Sequence, residues 1–392
     1  MRILHLSHDG LPDWRVEKSA LTASKQGHEV YFAGKKIANR YVPKAFSKTY
    51  EIDWTAKALY GIPYYWHSVK GQLGKILAQV RPDVVHAHNL FSARLVKDFG
   101  EHFVYDDHES WSKHSLLLRE MEEAQERQHR ASSLAHSIRS IAARTKKSAI
   151  NRHATSLWTK WEKEVLDSSE VTITVSDRIA KELRLASGNG AKVLVVPNYP
   201  TRQETSDIDE PRYMDRLSSV YSGSDGGGQG SSSTLPNRNM DGLYDLFDSN
   251  NGNTGRLRVL GWQQAAIPSS RVDFAGFLPR REMFKEMSNN SAGLLPWRKH
   301  WSHYFANPNK VYEYAHAGLY VMCTSSFETV TETLQENCST FDSYKDLASQ
   351  LEYYSENMDE LYKKRTRTFE FARRNLVWEN FEPEILRAYQ SS

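Results

Sequence analysis

Two cysteines, Cys323 and Cys338, are all that the 392 residues hold. So few exclude a disulfide framework and a cysteine-rich zinc module, and Cys323, in an apolar run, reads as a core residue. No stretch approaches about 18 consecutive apolar residues, which excludes a membrane-spanning helix. The N-terminus enters a strand pattern directly, without a basic segment followed by an apolar one, so no signal peptide and a cytoplasmic location are expected. There is no excess of one charge either. Lysine and arginine number 51 against 48 acidic residues, a net charge of +3, which gives no whole-molecule pull toward nucleic acid. Phosphate-binding fingerprints are missing as well. SHDGLPDW stands where a GxGxxG would follow the first strand, there is no GxxxxGK[ST], and the run Gly226 to Gly230 lacks the lysine of a P-loop. Nicotinamide and P-loop nucleotide chemistry are thereby disfavoured, and the Gly/Ser-rich stretch reads as a surface loop.

What is present is an alternation of short apolar runs with helical patterns. RILHL at the start, a helix over 15–26 closed by Gly27, and a strand over 30–33 make a strand–helix–strand unit, the signature of a parallel sheet. A helix over 69–80 leads into DVVHAHNL, then HFVYDDHE, a long helical tract over 119–166, EVTITV, and KVLVV stopped by Pro197. From about 201 the composition turns polar, and a second series follows: LSSVYSG, RLRVLGW, VDFAG, AGLLPW and LYVMCT, with helices over 279–288 and 308–317 between them. Length alone favours two domains. The expectation is an α/β chain of two Rossmann-like doubly wound domains, 1–198 and 199–375, with a C-terminal helix in 376–392 packing back on the first. In such folds ligands lie at the carboxyl edges of the strands, here in a central cleft faced by both domains.

PNKVYEYAHAG, residues 308–318, is the sharpest local signal. Asn307 is expected to cap the helix, Pro308 to fill its first turn and Gly318 to end it. Free N–H groups at such an N-terminus favour an anion, and Lys310 adds a positive charge beside them. Glu313 offers a carboxylate able to accept two hydrogen bonds, as from a ribose diol. The plainer alternative is an i,i+3 surface ion pair between the two. His86 and His88 are two apart and face one side of a strand. That spacing suits a metal, but no carboxylate is near in sequence, so a polar strand end is favoured and no metal is expected. Gly10, in the first strand–helix loop, permits close backbone approach to a phosphate or sugar, or serves a simple turn. Between Arg127 and Trp161 the chain carries basic residues and no Asp or Glu. Leu134, Ile138, Ile141, Ile150, Leu157, Trp158 and Trp161 supply an apolar side, so 119–166 is a candidate for peripheral contact with an anionic membrane.

The order VTITVSDRIAKEL, KVLVVPNYP, VDFAGFLPRREMFKEMSNNSAGLLPW and PNKVYEYAHAGLYVMCTSS resembles the glycosyltransferase B-fold enzymes, and within them the large retaining family four. MRILHLSHDG, DVVHAHNL and VWENFEPEILRAY extend the resemblance over nearly the whole chain. It implies transfer of a sugar from a nucleotide-diphosphate sugar to a glycan, lipid-linked or small-molecule acceptor, without metal or other cofactor. It implies that Glu313 holds the donor ribose, while Asn309, Lys310 and nearby backbone face the diphosphate. The first glutamate of the family's pair falls at Phe305. The arginine and lysine that such enzymes place after the first strand of the second domain have only Arg238 as a counterpart, with Arg298 and Lys299 as substitutes. His108 matches the histidine expected beside the transferred sugar, with Asp107, Glu109 and His88 as candidates to orient it or to meet the acceptor. Two alternatives share the fold: a nucleotide-sugar 2-epimerase, and an inactive protein that binds a glycan or partner.

Overall fold

Arg2–Ser7 and Val84–His88 lack the polar–apolar alternation of a half-exposed strand, and in the computed structural model both are interior strands of a parallel sheet. The structure describes residues 1–36, 44–132, 152–153, 155–188, 190–223, 236–249, 253–261 and 270–391. The chain divides into two units, Met1–Pro197 with Phe381–Ser392, and Asn198–Asn380. Residues 376–380 thus stay with the second unit.

The first unit is built on seven strands, β1 (Arg2–Ser7), β2 (Glu29–Gly34), β3 (Lys48–Glu51), β4 (Val84–His88), β5 (Phe103–Asp107), β6 (Val171–Thr174) and β7 (Val193–Val195). They pair in the order β3-β2-β1-β4-β5-β6-β7, every pair parallel. The helices are α1 (Trp14–Lys25), α2 (Pro63–Val80), α3 (Asn89–Lys97), α4 (Trp111–Ser132), α5 (155–166) and α6 (Asp177–Ala186). Strand β3 carries no strong apolar run and was absent from the sequence reading; its residues are half-buried or exposed. Helix α1 starts where Asp13 accepts from the backbone N–H of Arg15 (3.0 Å) and Val16 (3.2 Å), filling two of the orphan donors of a first turn.

The second unit has six strands, β8 (Ser218–Ser222), β9 (Arg256–Leu260), β10 (Val272–Gly276), β11 (Ala292–Leu295), β12 (Tyr320–Thr324) and β13 (Cys338–Phe341), in the all-parallel order β10-β9-β8-β11-β12-β13. Its helices are α7 (Leu243–Ser249), α8 (Arg280–Ser288), α9 (Asn309–His316), α10 (Glu328–Leu334), α11 (Tyr344–Glu356) and α12 (Met358–Asn375). Both sheets have the doubly wound order, which reverses between β1 and β4 in one and between β8 and β11 in the other. Those two reversal points are where such sheets leave a crevice for ligands.

The last helix, α13 (Glu382–Gln390), returns to the first unit. Glu382 accepts from Lys25 Nζ (3.0 Å) and Thr22 Oγ1 (3.2 Å) of α1, and Tyr389 reaches His86 of β4. Among the described residues no helix is long and apolar enough to cross a membrane.

Candidate functional site

In the second unit the polar cluster lies at the β8/β11 reversal. Tyr221 is the penultimate residue of β8, Trp297 follows β11, and Lys310 sits in the first turn of α9. Lys310 Nζ lies 4.5 Å from the centroids of both aromatic rings and donates to Tyr221 Oη at 3.4 Å. Trp297 Nε1 donates to the same oxygen at 3.1 Å. Arg238, in the 3-10 turn Pro236–Arg238, places its guanidinium carbon 5.3 Å over the other part of this wall, the Trp297 ring. Two cations therefore flank one indole. Burial, with the Arg238 charge added, lowers the Lys310 pKa to about 7. Ring contacts that recover about 1 kcal/mol each do not replace lost hydration. Gly223 stands just past β8 at this spot. A Cβ there would come within 2.7 Å of Tyr221 Oη and 2.8 Å of Lys310 Nζ.

The Arg238 turn is held by His303. Its Nε2 donates to Asn237 O (2.6 Å), its Nδ1 meets Ser326 Oγ (2.7 Å), and its ring stacks on Phe327 with centroids 4.0 Å apart. A carbonyl can only accept, so Nε2 carries the proton and Nδ1 accepts from the serine. Burial holds this imidazole down to a pKa of about 4.

Several expectations for α9 need correction. Pro308, not Asn307, is the cap residue, with no side-chain bond to the turn. Asn307 Oδ1 instead accepts from the hydroxyl of Tyr312. Lys310 and Glu313 are not an ion pair. Glu313 is 8% exposed, and its Oε1 accepts from Arg280 Nη1 of α8 at 2.7 Å, while Arg280 Nε also binds Glu204. Asn309 is exposed at the helix start. Phe305 ends the 3-10 turn Trp301–Phe305, its ring on Tyr304. Arg298 is committed elsewhere: its Nη2 donates to Asp241 O (2.6 Å) and its guanidinium lies 5.6 Å over Tyr344. Lys299 pairs with Asp342 at 2.6 Å. Both are held away from the Trp297 ring, where Lys310 and Arg238 are the two cations that meet.

In the first unit the reversal point is lined with histidine. Parallel register puts His5 of β1 beside His86 of β4, and His88 of β4 beside Asp106 of β5. Period-two alternation aims all four at one face. Asp106 is buried and bound by Arg15 of α1, Nη2 to Oδ1 at 2.7 Å and Nε to Oδ2 at 2.9 Å. Burial alone would raise its pKa, but Arg15 and the imidazoles hold it well below the carboxylate range. Burial likewise keeps His5, His86 and His88 below the ordinary imidazole value. His108, just past β5, is 16% exposed, with Nε2 at 3.5 Å from Asp106 Oδ2.

A carboxylate is thus near the histidines after all, brought by a neighbouring strand. The carboxylate beside the His108 ring is that of Asp106, not Asp107. Asp107 points to the opposite face, fully buried, accepting from Tyr105 Oη (2.9 Å) and Ser110 N (3.2 Å). His88 is fully buried too, so neither meets an acceptor. Glu109 is exposed at the strand end, 3.7 Å from His114. At Gly10 a Cβ would meet Lys36 O at 2.7 Å, so the chain itself already approaches closely there. Most of the basic tract, 133–151, and the Gly/Ser loop from 224 lie outside the described residues. Of the two tryptophans of α5, one is buried and one half-buried. Trp158 is 3% exposed between Phe91 and Trp111, and Trp161 packs on Trp66.

Sequence reasoning missed Tyr221, Gly223, Trp297, Arg280, His5 and Asp106. Tyr221, Gly223, Trp297 and Asp106 stand within two residues of a strand end, which was their only hint of a site, while His5 lies in the middle of β1 and Arg280 starts α8.

Residues 18–199 match the family model described as Glycosyltransferase Family 4. No curated protein sequence matches the chain. Among solved structures it is similar to sucrose-phosphate synthase from Thermosynechococcus elongatus, with TM-score 0.71 and 11% identity over 100% of this chain and 98% of that one. HepE of Anabaena in complex with UDP-glucose gives TM-score 0.65 and 11% identity over 100% of both. A Listeria monocytogenes protein described as a UDP-N-acetylglucosamine 2-epimerase gives 0.58 and 10% over 100% and 96%. These likenesses are to glycosyltransferase B folds, and this chain has that fold.

Proposed function

Since residues 18–199 carry the glycosyltransferase family 4 pattern on a glycosyltransferase B fold, we propose that the protein is a retaining glycosyltransferase using a nucleoside-diphosphate sugar. The observation that carries this is the pair Lys310 and Arg238 on the Trp297 wall at the β8/β11 reversal. Two converging cations beside a helix start and a glycine suit a diphosphate.

In this reading the diphosphate displaces the poor surroundings of Lys310 with a counter-charge, and Asn309 contributes its backbone N–H. As the bond from the sugar's anomeric carbon to the phosphate oxygen breaks, Lys310 and Arg238 stabilise the negative charge left on the diphosphate. The acceptor hydroxyl attacks from the same face, a carbon–oxygen bond forms, and its proton passes to the departing phosphate oxygen. No protein nucleophile is needed, and the leaving charge is met without a metal ion. Glu313, steadied by Arg280, accepts from the ribose hydroxyls. His108 and Glu109 are assigned to the transferred sugar and the acceptor. That HepE was solved with UDP-glucose supports a nucleotide sugar as donor.

The test is incubation with a panel of nucleotide sugars. Slow release of free nucleoside diphosphate from one donor is the expected result. Conversion of the sugar without release would instead indicate epimerisation, and no thermal shift with any nucleotide would overturn the reading.

A further inference from the structure

We propose that α9 couples its Glu313 carboxylate to the two stretches of chain that join the units, so that a nucleotide bound at Glu313 orders 198–204 and 376–380. The proposal rests on the reading that Glu313 holds the donor ribose. The chain enters the second unit at Asn198 and leaves it after Asn380, so both joining stretches belong to that unit. Each is tied to α9, the helix that carries Lys310 and Glu313. The outgoing stretch is held through a relay of charges. Glu313 Oε1 accepts from Arg280 Nη1 at 2.7 Å, and the same guanidinium binds Glu204 through Nε. Glu204 Oε2 accepts from Thr201 N at 2.7 Å, and Glu204 N donates to Thr201 Oγ1 at 3.1 Å.

The other faces of α9 add two more ties. Tyr312 sets its ring edge-on against Tyr199, with centroids 4.7 Å apart. His316 Nε2 donates to Leu376 O of the returning stretch at 2.8 Å. The stretches are bonded to each other as well, Trp378 N to Pro200 O at 3.0 Å and Arg202 N to Glu379 Oε1 at 2.9 Å. The three side chains of the relay are at most 17% exposed, so their attraction is screened less than that of surface pairs. A guanidinium is planar and its donors point in fixed directions. Its bonds to Glu313 and Glu204 therefore move together, and fixing one carboxylate fixes the other. Arg280 takes Oε1 of Glu313, which leaves Oε2 for a ribose hydroxyl. A ligand that immobilises this carboxylate steadies Glu204, and with it the Thr201 amide. Coupling of this kind is reciprocal: whatever orders the joining stretches also tightens nucleotide binding. Inorganic diphosphate, which can engage Lys310 and Arg238 but has no ribose for Glu313, lacks this effect.

Hydrogen–deuterium exchange of the full chain is followed over 198–204 and 376–380, alone, with UDP or GDP, and with inorganic diphosphate at matched occupancy. The nucleotide that binds should slow exchange in both stretches about fivefold or more, and inorganic diphosphate should not. Glu204→Gln keeps an acceptor for Thr201 N but loses the ionic tie to Arg280. In that variant the slowing over 198–204 should shrink, and nucleotide affinity should fall by the same factor. A bound nucleotide that leaves exchange in both stretches unchanged overturns the coupling while the transferase reading stands. Equal slowing by inorganic diphosphate overturns the part given to Glu313, and so does an unchanged nucleotide response in Glu204→Gln. Binding of neither nucleotide, by exchange or by thermal shift, overturns the ribose assignment and the coupling with it.

Discussion

Lys310 Nζ stands 4.5 Å from the centre of the Trp297 ring, and Arg238 covers the same ring. A lysine so placed is poorly hydrated and has another cation for a neighbour, so it gains more from a bound diphosphate than a surface lysine would. Lys310→Ala should weaken binding of the nucleotide sugar by about 2–3 kcal/mol, roughly 30–150-fold, the cost of losing a charge-assisted bond. Calorimetric titration measures it. The unfolding midpoint should hold or rise, since a cation held out of water is removed.

The pH dependence of that binding follows from the same residue. With its pKa lowered to about 7, Lys310 is largely neutral above that pH until an anion arrives. Affinity should therefore fall as pH rises through 7, and at pH 8 binding should take up close to one proton. Titration in buffers of different ionisation enthalpy reports the uptake; none would remove Lys310 from the diphosphate. The linkage to folding has the opposite slope. The folded pKa lies below the unfolded value, so the unfolded chain binds the extra proton between about 7 and 10.5, and this group's contribution to stability rises with pH there.

Gly223→Ala would drive a methyl group into Lys310 Nζ and Tyr221 Oη. Donor binding should drop at least tenfold, and the unfolding midpoint should fall as well, because the lysine end can swing aside but the buried Tyr221 ring, Oη 2.7 Å and Cζ 3.0 Å from that Cβ, has to shift. Unchanged donor affinity in the folded variant would remove Gly223 from the donor site.

His303 and His316 set an acid limit on the second unit. Burial holds each near a pKa of about 4, and His316 Nε2 donates to Leu376 O at 2.8 Å. The folded values lie below the unfolded value of about 6.5, so their stabilisation is complete above 6.5 and is lost as pH falls from there toward 4. Each contributes a slope of about 1.4 kcal/mol per pH unit within the window. Denaturant unfolding at pH 7 and pH 5 should show the loss, and His316→Gln, which keeps a donor for Leu376, should reduce it.

Glu313→Gln keeps an acceptor for Arg280 but removes the charge. Ribose recognition should weaken about tenfold with little unfolding, whereas Arg280→Ala, which strands Glu313, should destabilise the unit by about 3–5 kcal/mol. Equal effects of both variants on nucleotide affinity would leave Glu313 with a purely structural role.

Much of the architecture was legible because it is local. The apolar runs RILHL and VVHAH, and Gly318, left-handed at φ 75°, mark strands and a helix end through steric and burial preferences of neighbouring residues. Strand β3 was not legible, since its half-buried residues carry no apolar pattern and β2 recruits it by backbone pairing. Lys310 and Glu313 were found as a spaced pair, yet their partners were not. Tyr221, Trp297 and Arg280 lie 13 or more residues off in sequence, and only packing brings them into contact.

By itself the sequence determined the class: two series of strands and helices without a dinucleotide or P-loop fingerprint, few cysteines, and balanced charge. Tertiary structure decided which side chains meet. Parallel register between β4 and β5 set Asp106 beside His88 and turned Asp107 away, a consequence of pairing and of alternation along a strand. The order reversal at β8 and β11 made Trp297 the shared wall for Lys310 and Arg238. Both outcomes depend on which strands are neighbours, and that is a matter of long-range packing that residue spacing along the chain does not encode.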